Sequence, residues 1–355
     1  MRKNGFYIAL VVTFVLSGAA NYMRWGPVIE FALSAIAILF VAGFLGKATE
    51  SVAHYAGQRL GGFLNATFGN AAELIIAIFL VKEGLFDMVK ASLTGAIIGN
   101  LLLVLGLSIL LGGLKYKEQH YNIQLAGYNA TLMMLAVIGL FVPAIFVKVE
   151  QFSFEKDQFL SLTVAGILII AYLLWLIFSM ITHKDTLAEN EVTSADHGEQ
   201  PAWSKKTSIL FLVLSTVMVA LVSEWLVGTL ETFTERFGLS ELFVGAFVIA
   251  IVGNAAEHSA AVLLAMKNKI GAAVEIAIGS SLQIALFVAP VLVFVSLLFN
   301  PGRSMDIVFT TIELAAIGVS VFIATSISRD GRTNWYEGVL LLMVYVILGF
   351  AFYLV

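Results

Sequence analysis

The pentapeptide Gly69-Asn70-Ala71-Ala72-Glu73 occurs a second time, unchanged, as Gly253-Asn254-Ala255-Ala256-Glu257. The two copies are 184 residues apart, and residues 61–106 match residues 245–290 at 13 of 46 positions when that offset is kept. Apolar segments often match by chance, but a shared run that contains Glu is far more specific, because ionisable residues are rare in membrane spans. The pentapeptide therefore predicts an internal duplication.

The composition around these copies is that of an integral membrane protein. Of the 355 residues, 60% are apolar and 12% are charged, and the mean hydropathy is +0.95. A soluble domain is usually about 45–50% apolar and about 25% charged. This composition excludes a disordered chain, a nucleic-acid-binding protein and a secreted disulfide scaffold. The lack of cysteine in the sequence also excludes thiolate chemistry and Cys-based metal sites.

Eleven apolar stretches are long enough to be membrane-spanning helices, which need roughly 20 residues each. They are continuous, whereas barrel strands would alternate over about 10 residues. The first stretch follows Arg2 and Lys3 as the apolar part of a signal peptide would, but we expect it to remain as a true helix. The predicted spans are about 6–23, 27–46, 61–82, 87–111, 127–147, 159–181, 207–231, 242–266, 271–299, 304–326 and 335–355.

The distribution of Lys and Arg predicts how these helices are oriented. Thirteen of these residues fall on one side of the predicted membrane and seven on the other, which accounts for all 20. Because basic residues are enriched in cytoplasmic loops, the N-terminus is predicted to be cytoplasmic. An odd number of spans then places the C-terminus on the external side.

The two pentapeptides fall in the third and eighth predicted helices, which cross the membrane in opposite directions. The chain is therefore predicted to be an all-α polytopic membrane protein with one leading helix and two inverted five-helix repeats, an organisation typical of secondary transporters. Between the repeats lies a hydrophilic linker with five acidic residues, which is either a solvated connection or a loose cation-attracting regulatory element. The predicted units are 1–24, 25–182, 183–206 (the linker) and 207–355.

Glu73 and Glu257 are the strongest candidates for chemistry. An acidic side chain in the middle of a membrane helix costs on the order of 2.5–3.5 kcal/mol, so two at equivalent places indicate an ion or proton site rather than a neutral structural acid. Asn70 and Asn254 each precede a glutamate by three residues and share its helix face. Carboxylate, amide and carbonyl oxygens form a donor set that suits Ca²⁺, which takes about 6–8 oxygens. Such a set is poor for Zn²⁺ or Cu⁺.

Other polar and small residues are predicted to line the site or its path. Gly69 and Gly253 are expected to unwind the helix before each pair, and His258 either tunes the proton affinity of its neighbour or is a satisfied interior group. Gly95 and Gly99 are predicted to form a contact face for another helix. The remaining candidates are Ser92 and Asn100 in the fourth predicted span, Ser280, Ser281 and Gln283 in the ninth predicted span, and Glu50, Glu224 and Glu313 elsewhere.

The predicted chemistry favours ion exchange over the other functions of such a fold. A carboxylate in the membrane without a cation prefers a proton to an unpaired charge, so Ca²⁺ and H⁺ would compete for the same two glutamates. A sodium/calcium exchanger would want further side-chain oxygens around the central pair, where this chain has alanines. A cation channel stays an alternative, although an inverted repeat is not required for it. The spans contain no Ser/His/Asp set and no His-rich metal motif, so we expect no catalytic residues.

The motifs resemble the paired signatures of calcium/proton antiporters in the cation/calcium exchanger superfamily, and the bacterial members above all. The resemblance extends to Thr49-Glu50-Ser51, residues 61–68, Ser92-Leu93-Thr94-Gly95 and residues 279–283, and it covers nearly the whole chain. It implies export of Ca²⁺ against H⁺ entry in a bacterial plasma membrane, with Glu73 and Glu257 as alternating carriers of Ca²⁺ and protons. Asn70, Asn254, Asn100 and Gln283 would complete the site, and His258 fits the proton-coupled branch.

The expected partners are accordingly Ca²⁺, H⁺ and the lipid bilayer, with no nucleic acid and no organic cofactor. A sodium/calcium exchanger, or an antiporter of another divalent cation and protons, remains the alternative. The sequence does not decide between a monomer and a homo-oligomer.

Overall fold

The computed structural model describes residues 3–150, 152–183, 201–300 and 302–355. Most of the predicted acidic linker, including residues 185–199, lies outside these ranges, as do Arg2 and Lys184 of the charge count. Up to residue 183 the chain folds mainly into helices. They are α1 (Lys3–Met23), α2 (Pro27–Phe68), α3 (Ala71–Glu83), α4 (Phe86–Ile98), α5 (Leu105–Tyr116), α6 (Ile123–Glu150) and α7 (Phe154–Ile177), with strand β1 (Glu118–His120) between α5 and α6.

The second half of the chain is also mainly helical. Its elements are α8 (Lys205–Gly228), α9 (Leu230–Phe237), α10 (Glu241–Phe243), α11 (Ala250–Ala265), α12 (Ile270–Gln283), α13 (Ala289–Phe299), α14 (Thr311–Ile327), strand β2 (Arg332–Asn334) and α15 (Trp335–Tyr353). Strands β1 and β2 pair antiparallel with Gln119 opposite Thr333, and they form a two-stranded ribbon that the sequence did not predict.

Four π-helical segments interrupt or extend these helices: Gly99–Val104, Phe178–Thr182, Val244–Ile249 and Ile284–Val288. The first joins α4 to α5 and the last joins α12 to α13. Shifting 284–288 back by the 184-residue offset of the repeat gives 100–104, so the two segments interrupt equivalent helices at the same place. Single π turns of this kind are frequent at functional sites.

Nine stretches of the described residues are long and apolar enough to cross a membrane. They are Gly5–Met23, Pro27–Gly57, Phe86–Tyr116, Ile123–Glu150, Phe154–Thr182, Lys205–Phe237, Glu241–Ala265, Ile270–Phe299 and Trp335–Tyr353. The prediction of an all-α polytopic membrane protein is confirmed, and the count of eleven spans stays a prediction.

Predicted spans 61–82 and 304–326 are not among these nine stretches, and each has a local structural cause. Predicted span 61–82 is divided between the end of α2 and α3, because Asn70 leaves the helical conformation with φ −97° and ψ 25°. Predicted span 304–326 was wrong at its start, since the helix there begins only at Thr311. The Thr310 hydroxyl accepts from the Glu313 backbone N–H while the Glu313 carboxylate accepts from the Thr310 N–H, and this capping box sets the first turn.

Gly95 and Gly245 allow helix α4 to pack directly on the backbone of residues 244–249. A Cβ added to Gly95 would overlap the Ala246 carbonyl, and one on Gly245 would lie 2.6 Å from the Ala91 Cβ. Small residues permit such close approach of membrane helices. The predicted contact face is thus present at Gly95, but Gly99 was wrongly included, because no atom of the described residues lies within 4 Å of its Cβ position.

Candidate cation-binding site

The glycine of each pentapeptide faces the glutamate of the other. A Cβ added to Gly253 would be 3.5 Å from the Glu73 Cγ, and one on Gly69 would be 3.6 Å from the Glu257 Oε1. Both glutamates therefore point across the boundary between the two copies. The duplication builds a single site out of two distant parts of the chain.

The two copies nevertheless differ in local conformation. Asn70 breaks the helix between α2 and α3, while Asn254 lies inside the continuous helix α11 and its Nδ2 donates to the Ala250 carbonyl 2.9 Å away. Unwinding was predicted before both glutamates, and the prediction was wrong at Gly253. The physical difference is the partner of each asparagine, since Asn70 bonds to another helix and Asn254 bonds to its own.

A hydrogen-bonded network surrounds Glu257. The Ser280 Oγ lies 2.6 Å from the Glu257 Oε2 and 2.8 Å from the Asn70 Oδ1, and the Asn70 Nδ2 donates to the Gln283 Oε1. A hydroxyl carries one proton and can donate to one acceptor at a time. Either Glu257 supplies a proton to Ser280, or the amides of Asn70 and Gln283 are both rotated, so that the Asn70 Nδ2 donates to Ser280 and the Gln283 Nε2 donates to the Asn70 Oδ1. The network must rearrange whenever Glu257 gains or loses a proton.

The half of the site around Glu73 lacks such partners. The Glu73 Oε2, the Asn254 Oδ1 and the Asn100 Nδ2 are buried, and none has a hydrogen-bond partner within the described residues. Buried polar atoms are nearly always paired, and the Asn254 Oδ1 belongs to the residue after Gly253, which faces Glu73. The unpaired Glu73 Oε2 and Asn254 Oδ1 therefore indicate a place that an ion or water occupies. The two free oxygens are acceptors that a cation would satisfy.

The sequence accounts for this difference between the halves. The 184-residue offset places Ala96 opposite Ser280 and Gly99 opposite Gln283. The Glu73 half therefore has neither the hydroxyl nor the amide that build the network around Glu257. Asn100, one position out of register with Gln283, is buried in the π-helical segment with its Nδ2 unpaired in the part of the chain that the structure covers.

Several predicted residues lie beside this network without joining it. The Ser281 hydroxyl donates to the Ala277 carbonyl of its own helix at 2.9 Å, and Ser92 is half-buried on α4. His258 is half-buried next to Glu257, and no hydrogen bond of its side chain is found within the described residues. Of the three predicted residues on α12, Ser280 and Gln283 are therefore the two that reach the Asn70 and Glu257 side chains.

The three acidic residues predicted along the path have different surroundings. Glu50 on α2 and Glu224 on α8 are exposed. Glu313 is 2% exposed, and its carboxylate is held by the capping box at the start of α14. Glu313 thus has a structural role at the start of α14, and its role along the ion path stays a prediction.

Sequence reasoning missed the role of a buried cation, Lys90, which it counted only among the seven basic residues of the external side. The Lys90 Nζ on α4 lies 3.3 Å from the Asp306 Oδ1, 3.1 Å from the Val308 carbonyl and 3.5 Å from the Asp87 Oδ1. The available signal was the position of Lys90 within the first turns of an apolar helix. The lysine connects α4 to the extended segment before α14.

No cluster of three or more His, Cys, Asp or Glu side chains that could hold a metal is present in the described residues. An ion at this site would have to be bound by the two carboxylates together with amide, hydroxyl and carbonyl oxygens. Such a set of hard oxygen donors suits Ca²⁺ as a transported substrate.

The fold and the site define a multi-pass helical membrane protein with a doubly acidic site between two copies of one motif, as in secondary transporters. The comparison with known families agrees with this class. The chain belongs to the sodium/calcium exchanger protein family, whose model matches residues 27–181 and 207–354.

The similar proteins include bacterial antiporters. The chain is 46% identical over 350 residues to the Ca(2+)/H(+) antiporter ChaA of Bacillus subtilis, covering 98% of this chain and 99% of that protein. It is 44% identical to the Ca(2+)/H(+) antiporter of Aphanothece halophytica, covering 99% and 97%. The structure of native YfkE matches with 42% identity and a TM-score of 0.86, covering 99% and 100%. The resemblance predicted from the paired motifs is confirmed.

Proposed function

We propose that this chain is a secondary active transporter of the bacterial plasma membrane that exchanges cytoplasmic Ca²⁺ for external H⁺ by alternating access. The observation that carries the proposal is the meeting of Glu73 and Glu257 in one site, with Glu257 bonded to Ser280 and the Glu73 Oε2 unpaired within the described residues. The names of the similar bacterial proteins, both Ca(2+)/H(+) antiporters, support the choice of ions.

Glu257 and Glu73 have different roles in this proposal. Glu257 holds a proton within the network of Ser280, Asn70 and Gln283, and His258 beside it adjusts how readily that proton leaves. The Glu73 Oε2 and the Asn254 Oδ1 are the oxygens that bind Ca²⁺ first. Entry of Ca²⁺ then draws the carboxylate of Glu257 out of its hydrogen bond, because an ionised pair is the better ligand for a divalent cation.

Charge couples the two ions. Two ionised carboxylates without a counter-ion are costly in a membrane, and either Ca²⁺ or protons relieve this cost. The free energy needed to switch between the inward-facing and outward-facing states is therefore lower when the site is occupied than when it is empty. Since Ca²⁺ and protons neutralise the same two groups, the loading of one ion requires the release of the other.

The alternating motion rests on the repeat organisation, which we propose to be a leading helix in residues 1–24 and two inverted five-helix repeats in residues 25–182 and 207–355. The two segments matched by the family, 27–181 and 207–354, support these boundaries. The matching offset of two π-helical segments supports them as well. With eleven spans the N-terminus is cytoplasmic and the C-terminus external.

The test is Ca²⁺ uptake into proteoliposomes with an acidic lumen and no Na⁺. We expect uptake that a protonophore abolishes, and that falls to the level of empty liposomes in Glu73→Gln and in Glu257→Gln. Glu155→Gln is the matched control, because Glu155 is an exposed acid at the start of α7. Uptake that starts only with a Na⁺ gradient would replace H⁺ by Na⁺ as the coupling ion and refute the proposal.

A further inference from the structure

We propose that the surface around the β1–β2 ribbon binds the headgroup of an anionic phospholipid. This ribbon surface comprises residues 114–121, 265–269 and 326–340. The inference is independent of which ions the protein exchanges, because it concerns a surface at the ends of the helices.

Hydrogen bonds bring the three segments of the ribbon surface together. The Lys115 Nζ donates to the Met266 carbonyl at 2.8 Å, and the Gln119 Nε2 donates to the Ala265 carbonyl and to the Asn268 Oδ1, both at 3.0 Å. Pairing of β1 with β2 adds the third segment. Residues more than 200 positions apart thus share one surface.

This surface has an excess of positive charge. The ribbon surface contains six cationic and three acidic residues: the cations are Lys115, Lys117, Lys267, Lys269, Arg329 and Arg332, and the acids are Glu118, Asp330 and Glu337. Because cations from separate segments repel one another, their gathering on one face favours an anionic partner.

The carboxylates of the ribbon surface are already engaged. The Asp330 carboxylate lies 3.0 Å from the Arg332 Nε, and this bond holds the pKa of Asp330 below its ordinary value. Glu118 lies 3.8 Å from Arg332, and Glu337 accepts from the Thr333 hydroxyl at 2.7 Å. Glu118 and Asp330 thus lie against Arg332, and none of the three acids forms an ion pair with Lys117, Lys267, Lys269 or Arg329 in the described part of the chain.

Four of the cations stay free for a ligand. The side chains of Lys117, Lys267, Lys269 and Arg329 make no hydrogen bond or ion pair with any described residue, in contrast to Lys115 and Arg332. Arg329 also lines a surface cavity of about 590 Å³ together with Ser326, Ile327, Asp330, Glu337 and Leu340. The two carboxylates of this cavity are bonded to Arg332 and Thr333, which leaves the Arg329 guanidinium to bind a phosphate whose acyl chains contact Ile327 and Leu340.

Exposed aromatic and apolar side chains place the ribbon surface at the depth of lipid headgroups. Trp335 is 47% exposed and Tyr336 is 56% exposed at the start of α15, and Leu114 is 62% exposed at the end of α5. Trp and Tyr gather at membrane–water interfaces, where their rings contact both regions. A lipid headgroup, rather than a soluble anion, is therefore the ligand that this surface would meet. The predicted orientation places it on the cytoplasmic leaflet, where anionic lipids attract basic segments.

The experiment counts bound lipids by native mass spectrometry of the full chain in neutral detergent. Phosphatidylglycerol and phosphatidylcholine are titrated separately, and we expect phosphatidylglycerol to bind in preference. The variant Lys117→Gln/Lys269→Gln/Arg329→Gln should weaken phosphatidylglycerol binding by about tenfold or more, given the contribution of each basic residue near a membrane.

A second triple variant makes the same change of charge on another surface. This variant is Lys156→Gln/Arg236→Gln/Arg303→Gln, and all three residues are exposed cations. Arg303 lies far from the ribbon surface, because the 30-residue helical stretch Ile270–Phe299, about 45 Å long, separates it from Lys267. We expect it to bind phosphatidylglycerol like the unmodified chain, and both variants to elute as folded monodisperse protein. Equal losses in the two variants, or equal binding of the two lipids, would overturn the proposal. Displacement of phosphatidylglycerol by millimolar inorganic phosphate would instead indicate a site for soluble anions and would also overturn it.

Discussion

The Ser280 Oγ lies 2.6 Å from the Glu257 Oε2, although the two residues are on different helices, α12 and α11. The same oxygen is 2.8 Å from the Asn70 Oδ1 in the other copy of the repeated motif. A single hydroxyl therefore links the carboxylate of one copy to the amide of the other. Since that hydroxyl has one proton, the state of the whole network depends on whether Glu257 is ionised.

The first prediction concerns this hydroxyl. Ser280→Ala removes a hydrogen bond to a group that is charged in one of its states, which is typically worth about 1.5–3 kcal/mol. We expect the rate of proton-driven Ca²⁺ uptake to fall by at least tenfold, and its dependence on pH to change, while the protein stays folded. The measurement is initial uptake into proteoliposomes over a range of lumen pH values.

Ser281→Ala is the matched control for Ser280→Ala. The neighbouring hydroxyl donates to the Ala277 carbonyl of its own helix, a bond that leaves the glutamates untouched. We expect uptake within twofold of the unmodified chain. If both variants lose activity to the same degree, the loss reflects packing of α12, and the role of the Ser280 hydroxyl is refuted.

The second prediction separates the two asparagines of the repeated motif. Asn70 bonds to Gln283 and Ser280 on another helix, so Asn70→Ala should lower stability by about 1–3 kcal/mol as well as transport. The Asn254 Oδ1 is buried without a partner in the described residues, and its Nδ2 bonds only within its own helix, so Asn254→Ala should destabilise the protein less than Asn70→Ala and raise the KM for Ca²⁺ several-fold. Thermal unfolding and uptake at graded Ca²⁺ concentrations measure the two effects; equal destabilisation in both variants would contradict the assignment.

The third prediction compares two glycines at equivalent places of the repeat. A Cβ on Gly95 would overlap the Ala246 backbone, whereas no atom in the described part of the chain lies within 4 Å of a Cβ on Gly279. Overpacking of this kind costs about 1–3 kcal/mol, so Gly95→Ala should lower the unfolding temperature and the yield of monodisperse protein. Gly279→Ala should match or slightly exceed the unmodified chain in stability, because alanine favours a helix more than glycine does. A stable Gly95→Ala variant would mean that α4 and residues 244–249 can move apart.

The fourth prediction concerns the buried cation. Lys90→Gln removes the partner of Asp306 and of the Val308 carbonyl, and we expect a loss of about 1–3 kcal/mol in stability. Asp87 is largely exposed and should add little, because surface ion pairs are weak. The measurement is the unfolding temperature, with Lys156→Gln as an exposed control on α7. Combining Lys90→Gln with Asp306→Asn should cost less than the sum of the two single changes; strict additivity would exclude a direct interaction.

Much of the site is predictable from the sequence, because an acidic residue inside an apolar helix is costly and marks an ion or proton site. Glu73 and Glu257 stand out by this cost, and the repeated pentapeptide pairs them. Serine has no such signal, since its hydroxyl can always bond to the carbonyl of its own helix. Ser280 and Ser281 are therefore equivalent as sequence, whereas Thr310 and Glu313 have the spacing of a capping box, which is a sequence signature of a helix start. Lys90 was missed for the opposite reason, because a lysine near the end of a span is ordinarily a solvated charge.

The sequence by itself determined the class of this protein: apolar stretches long enough to span a bilayer, and a duplicated acidic motif that pairs its two glutamates. These features depend on composition and spacing alone. The tertiary structure alone decided which identical residues behave differently. Asn70 turns to another helix while Asn254 bonds to its own, Gly95 is enclosed while Gly279 is free, and the basic residues near the β1–β2 ribbon share one surface. The physical reason is that each of these outcomes depends on which partner lies within hydrogen-bond or van der Waals distance, and that partner is supplied by a distant part of the chain.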